Sequence, residues 1–138
     1  MSFKKYQQYP IVKNFKREWA DKTITHAPIY CSVDLRDGNQ ALINPLTVEQ
    51  KLEYFKALVK MGFKQIEVSY PSASDTDFNF TRKLIEEDLV PDDVAIQILI
   101  PAKKEWIKKS VEAMSEVKNG IFHLYNPTNE FQRRVVFQ

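Results

Sequence analysis

The feature that most constrains this chain is a rhythm. From residue 29 onward, short apolar runs of strand character alternate with longer stretches whose apolar residues recur at helical spacing. Residues 29–35 (IYCSVDL) read as a first strand, and RDGNQ follows as a turn in which Gly38 supplies backbone freedom. Thr47 opens a helix, with Gln50 at capping-box spacing, an apolar face of Leu52, Phe55, Leu58 and Val59, and Gly62 as terminator. Residues 65–70 (QIEVSY) predict a second strand, with Ile66 and Val68 on one face and Glu67 and Ser69 on the other. Ser74 or Asp75 caps a second helix running to about Asp88. Residues 94–100 (VAIQILI) form a nearly continuous apolar run, expected of a strand covered on both faces. A third helix is predicted to bury Trp106, Ile107, Val111, Met114 and Val117. Residues 120–125 (GIFHLY) read as a fourth strand, and residues 128–137 as the start of another helix.

Strand and helix in strict alternation mean a βα repeat on a parallel sheet, an α/β fold. Two architectures satisfy that pattern. A length of 138 residues suits a small doubly wound sheet complete in itself. The second architecture is the first half of a (β/α)8 TIM barrel, which normally needs about 250 residues. The residues at the strand ends favour the half-barrel. In either case the organisation is an irregular arm over residues 1–28, punctuated by Pro10 and Pro28, followed by one βα unit over 29–138. Tyr6, Tyr9, Phe15 and Trp19 read as arm anchors, and His26 as solvated.

Charge narrows the partners. The net charge of +2 implies no nucleic-acid partner. The basic excess is local: residues 1–30 carry +4 and the remainder −2. Cys31 is the only cysteine, which excludes an internal disulfide and suits a reducing cytoplasm. No stretch has the length and apolarity of a signal peptide or a membrane span.

In a barrel, chemistry sits at the C-terminal ends of the strands. The first strand leads into Arg36, Asp37 and Gln40, the second carries Glu67, the third ends near Leu99, and the fourth carries His123. A carboxylate flanked by Ile66 and Val68 needs a partner, and Arg36 is the obvious one. Taken singly, each has a plainer explanation. Asp37 can satisfy turn amides, Arg36 with Glu67 can be a structural ion pair, His123 can be a core histidine, and Cys31 packs within its strand.

The joint pattern is more specific. LRDGNQAL at 35–42, IEVSYPSASDTDF at 66–78, FHLYNPTN at 122–129 and QRRVVF at 132–137 resemble segments of the α-isopropylmalate synthase family. This family belongs to the metal-dependent aldol and Claisen barrels. The likeness extends over roughly residues 9–138 and is to the longer form, which has an arm before the barrel.

The resemblance implies an acyltransferase of leucine biosynthesis, condensing acetyl-CoA with 3-methyl-2-oxobutanoate, cytoplasmic and homodimeric when full length. It implies a divalent cation (Mg2+, Mn2+ or Zn2+) held by one first-strand carboxylate, matched by Asp37, and by two histidines of a later strand. Arg36 matches the arginine that hydrogen-bonds the keto oxygen. Glu67 matches a glutamate that orients Arg36 or contacts substrate, and Gln40 a glutamine near the site. Leu99 matches the side chain lining the isopropyl pocket, and His123 a histidine beside the oxo acid. An apolar Leu99 favours a branched aliphatic substrate over the dicarboxylate of a homocitrate synthase. A citramalate synthase would share the barrel motifs, and a half-barrel without catalysis could use the same face to hold a ligand or a partner barrel. The only histidines are His26 and His123, so the His-x-His metal pair of the family is absent from these residues. Residues 1–138 alone are therefore expected to be inactive and prone to self-association through open sheet edges.

Overall fold

The computed structural model describes Pro10, Lys22 and residues 24–136. The expectations for Tyr6, Tyr9, Phe15 and Trp19 lie outside the described residues, and residues 24–30 are exposed and irregular, His26 among them. Four strands form one sheet in the order β1-β2-β3-β4, every neighbouring pair parallel. They are β1 (Cys31–Ser32), β2 (Gln65–Ser69), β3 (Ala95–Pro101) and β4 (Gly120–Tyr125). Between them run α1 (Val48–Met61), α2 (Asp75–Glu86) and α3 (Lys104–Ala113), with α4 (Glu130–Val136) after β4. Neighbours in sequence are thus neighbours in space, as half of a βα barrel requires.

Local chemistry explains the boundaries. Thr47 and Gln50 form the reciprocal capping box expected of them, and Gly62 ends α1 at φ 96°, a left-handed conformation that suits glycine. The Ser74 hydroxyl accepts the Asp77 amide at 3.1 Å and starts α2. The first strand is shorter than the pattern predicts. The Val33 carbonyl accepts from the amides of Arg36, Asp37 and Gly38, which pulls the chain into a π-helical turn, Asp34–Gly38. Ser32 reinforces the departure by donating to Asp34 at 2.6 Å. Gly38 is not in the left-handed region in this turn, so the backbone freedom expected of it is not what the turn uses.

The core lies between the sheet and the helices. Ile66, Val68, Ile96, Ile98 and Ile100 pack against Phe55, Leu58, Phe80, Leu84 and Met114, with Leu35 sealing the β1 end. Two predicted faces need correction. Trp106, Ile107 and Val111 are exposed, while Ser110 and Ala113 are the buried residues of α3. Small side chains bring that face close to its neighbours, and the bulky side is left outward, Trp106 meeting Tyr70 edge-on at 6.0 Å. In α1 the fully buried stripe is Lys51, Phe55 and Leu58, with Leu52 and Val59 at its margin.

The third strand is covered on its helix side only. Ala95, Gln97 and Leu99 are half-buried on the other face. Exposure rises toward β4, where Phe122, Leu124 and Tyr125 are exposed. Among the described residues no helix is long and apolar enough to cross a membrane.

Candidate active site

Strand register decides which polar side chains meet. Glu67 stands opposite Gln97 in the β2–β3 ladder, and Leu99 opposite His123 in the β3–β4 ladder. Since alternate residues share a face, Glu67, Gln97, Leu99 and His123 all occupy the face turned away from the helices. A register shift between Glu67 and Ser69 then turns the chain over. The Ser69 hydroxyl lies 2.6 Å from that of Thr81 in α2, on the helix side.

Glu67 is the centre of the group. Its side chain is fully buried. Oε1 accepts from Arg36 Nε, and Oε2 accepts from Gln97 Nε2 and lies 2.7 Å from His123 Nδ1. Burial opposes the charged carboxylate, but the hydrogen bonds from His123, Gln97 and Arg36, with the Arg36 charge, outweigh it. The Glu67 pKa is held below its ordinary value. The Glu67 carboxylate thus holds the Nε edge of Arg36 and leaves no face on solvent.

Arg36 is held from two directions. Its Nε binds Glu67, and its Nη1 donates to Asp37 Oδ1 at 2.7 Å. The Arg36 side chain is only 14% exposed, whereas that of Asp37 is 64% exposed. Asp37 thus projects into open space from a buried anchor. Gln40 does not join the Glu67 group. It lines a neighbouring cavity of about 660 Å³ that Arg36 shares with Tyr70, Ser74 and Asp77. Cys31 sits below the group in β1; burial, then the Glu67 charge, pushes its thiol pKa up.

Sequence reasoning missed Gln97, although it is the only polar residue in its strand and lies two positions before Leu99. It also missed a second pair at the strand ends. Burial and the hydroxyl of Tyr125, at the end of β4, raise the pKa of Tyr70.

Arg36, Asp37, Glu67, Leu99 and His123 therefore gather on one face at the C-terminal side of the sheet. Among the described residues no group of three or more His, Cys, Asp or Glu side chains is placed to hold a metal ion.

Comparison with known proteins agrees with the architecture. The HMGL-like family model matches residues 27–138.

The chain belongs to the HMGL-like family.

Within it, the chain is similar to proteins named 2-isopropylmalate synthase. It is 56% identical to that of Clostridium acetobutylicum over 138 residues, covering all of this chain and 25% of the relative. It is 53% identical to that of Parafrankia sp. over 137 residues, covering 99% of this chain and 24% of the relative. It is 52% identical to that of Helicobacter hepaticus over 140 aligned positions, covering all of this chain and 25% of the relative. The chain spans about a quarter of the length of the curated relatives it matches. As a member of the HMGL-like family it carries the first half of a βα barrel, the fold expected from its strand ends.

Proposed function

We propose that this chain is the arm and first half-barrel of a 2-isopropylmalate synthase, an acyltransferase of leucine biosynthesis. The arm would cover residues 1–28 and the half-barrel residues 29–138. The reaction joins acetyl-CoA to 3-methyl-2-oxobutanoate. The acetyl methyl carbon loses a proton and bonds to the keto carbon. The keto oxygen takes up the displaced electron pair and then a proton, and water cleaves the thioester to release free CoA.

The observation that carries this reading is the Arg36 guanidinium, fixed by buried Glu67 on one side and by Asp37 on the other. A guanidinium held in advance stabilises negative charge as it builds on the keto oxygen, without reorganising during the step. Asp37 would supply one ligand to a divalent cation, Mg2+, Mn2+ or Zn2+, the others coming from sequence that this chain does not span. When bound, such a cation supplies Lewis acidity at the same oxygen. Leu99 and His123, side by side on the open face, would flank the oxo acid, with Leu99 against its isopropyl group. Gln40 would contact ligand from the adjoining cavity. The base that takes the methyl proton would come from barrel strands that this chain does not span. The complete enzyme would work as a cytoplasmic homodimer.

Thiol release from acetyl-CoA by the complete protein tests this. The expected result is a preference for 3-methyl-2-oxobutanoate over 2-oxoglutarate, and a kcat lowered about 10²–10³-fold by Arg36→Ala. Asp37→Ala should abolish metal-dependent turnover. A preference for 2-oxoglutarate would overturn the assignment of Leu99, and metal-dependent CoA release by residues 1–138 alone would show the machinery to be misplaced.

A further inference from the structure

Three donors converge on one buried carboxylate, and their number fixes where a proton must be. Ionised Glu67 offers acceptors only. Any atom within hydrogen-bond distance of it is therefore a donor. At Oε2 this assigns the facing Gln97 atom as its amide nitrogen and places a proton on His123 Nδ1, 2.7 Å away. Gln97 Nε2 also lies 3.4 Å from His123 Nδ1. Two N–H groups that face each other cannot bond, so both turn to the same oxygen. Arg36 occupies the other oxygen, which keeps the carboxylate from rotating away.

We propose that Gln97 and Glu67 are positioning residues that lock His123 with its proton on Nδ1, leaving Nε2 as the one ring atom free to meet a ligand. Free histidine in water favours the opposite tautomer, with the proton on Nε2, so the arrangement is imposed by the fold. The His123 side chain is 45% exposed while Glu67 is fully buried, so the ring has one sealed edge and one open edge. Leu99 stands beside it in the ladder. The open Nε2 accepts from a hydroxyl when the ring is neutral, and donates to a carboxylate when the ring is charged. In both states Nδ1 keeps its proton. The same carboxylate fixes the Nε edge of Arg36, so one buried group sets the direction of two ligand-facing side chains. Gln97 touches neither ligand nor metal and acts through Glu67 and His123.

The ligand role of Nε2 rests on the synthase reading, but the tautomer does not, and the test separates them. The chain has two histidines, so nitrogen-15 histidine labelling gives two ring systems, with exposed His26 as the internal comparison. Long-range nitrogen–proton correlation at neutral pH should show His123 protonated at Nδ1. An Nε2–H ring, like that of free histidine, overturns the proposal before any variant is made. Glu67→Gln, which removes the charged acceptor, should shift His123 toward the free-histidine mixture, and an unchanged tautomer there removes Glu67 from the device. Gln97→Met keeps length and leaves that acceptor in place, so it should keep the proton on Nδ1 while loosening the orientation of the ring. In the complete protein the same substitution should raise KM for the oxo acid about tenfold with a smaller change in kcat, the usual scale for losing an orienting partner. Loss in kcat alone would overturn the positioning role, and absence of synthase activity in the wild-type protein would sink the functional reading while leaving the tautomer result intact.

Discussion

Lys51→Met should destabilise the chain by about 3 kcal/mol, although it replaces a charged side chain by an apolar one of similar length. Lys51 occupies the innermost stripe of α1, fully buried, four residues before Phe55. Its Nζ pairs with Asp77 Oδ1, donates to the Val68 carbonyl at 3.3 Å and sits 5.2 Å above the Phe80 ring. The other Asp77 oxygen accepts the Tyr70 amide at 2.7 Å. One ion pair thus ties α1, the end of β2 and the first turn of α2 together. Removing one partner of a buried pair costs about 3–5 kcal/mol, because the remaining charge is stranded. Asp77 keeps the Tyr70 amide and is 14% exposed, which brings the value to the low end of that range. Urea unfolding followed by far-UV circular dichroism, at one fixed protein concentration, measures it. With a slope of about 1–3 kcal/mol per molar, the midpoint should fall by roughly 1–3 M. Asp77→Asn should cost a similar amount, and the double variant clearly less than the sum, with a coupling of about 1–3 kcal/mol. Additive single losses, or a Lys51→Met midpoint equal to wild type, would refute the pair as a tie.

Two further outcomes use the same unfolding measurement. Gly62→Ala should cost about 1–2 kcal/mol through the backbone alone, since φ is 96° and an added Cβ meets nothing within 4 Å; a neutral substitution would mean that the helix end relaxes. Glu67 has a folded pKa below its ordinary value of 4.5, so its contribution is present above that pH and is lost as pH falls through the folded value. Stability should decline below about pH 4.5, and Glu67→Gln should be weaker at neutral pH with a flatter acid limb; a limb of unchanged steepness would remove Glu67 from the acid response.

The order of strands and helices was legible because period and punctuation agreed at nearly every boundary. Thr47 with Gln50, and Gly62, mark α1 by mechanisms that act within a few residues. What depends on distant neighbours was not legible. Whether residues 33–35 stay in the sheet depends on the turn that captures the Val33 carbonyl. Which side of α3 faces inward depends on how near it approaches the sheet, and Ser110 and Ala113 win over Trp106 and Ile107 by being small. Lys51 hides inside an apolar stripe because its partner, Asp77, is 26 residues away. In the site, Arg36 and Glu67 could be paired from charge and burial alone. Gln97 could not, since an uncharged amide in an apolar run gains meaning only from the register that sets it opposite Glu67.

That register is also why the site is assembled by the sheet and by no single motif. Glu67 needs donors to remain charged without water. Arg36 reaches it from the turn after β1, Gln97 from β3 and His123 from β4. Shifting any of these strands by one residue would carry its side chain to the helix face and leave a buried carboxylate short of a donor. The irregularity after Glu67 belongs to the same solution. It lets Glu67 serve the open face while Ser69, two residues on, bonds Thr81 among the helices. A regular strand would have sent both to one side. The short strand β2 thus satisfies two buried polar groups on opposite faces within three residues: the regular register up to Glu67 sets the carboxylate that holds Arg36 and His123, and the departure after it sends Ser69 to the helices.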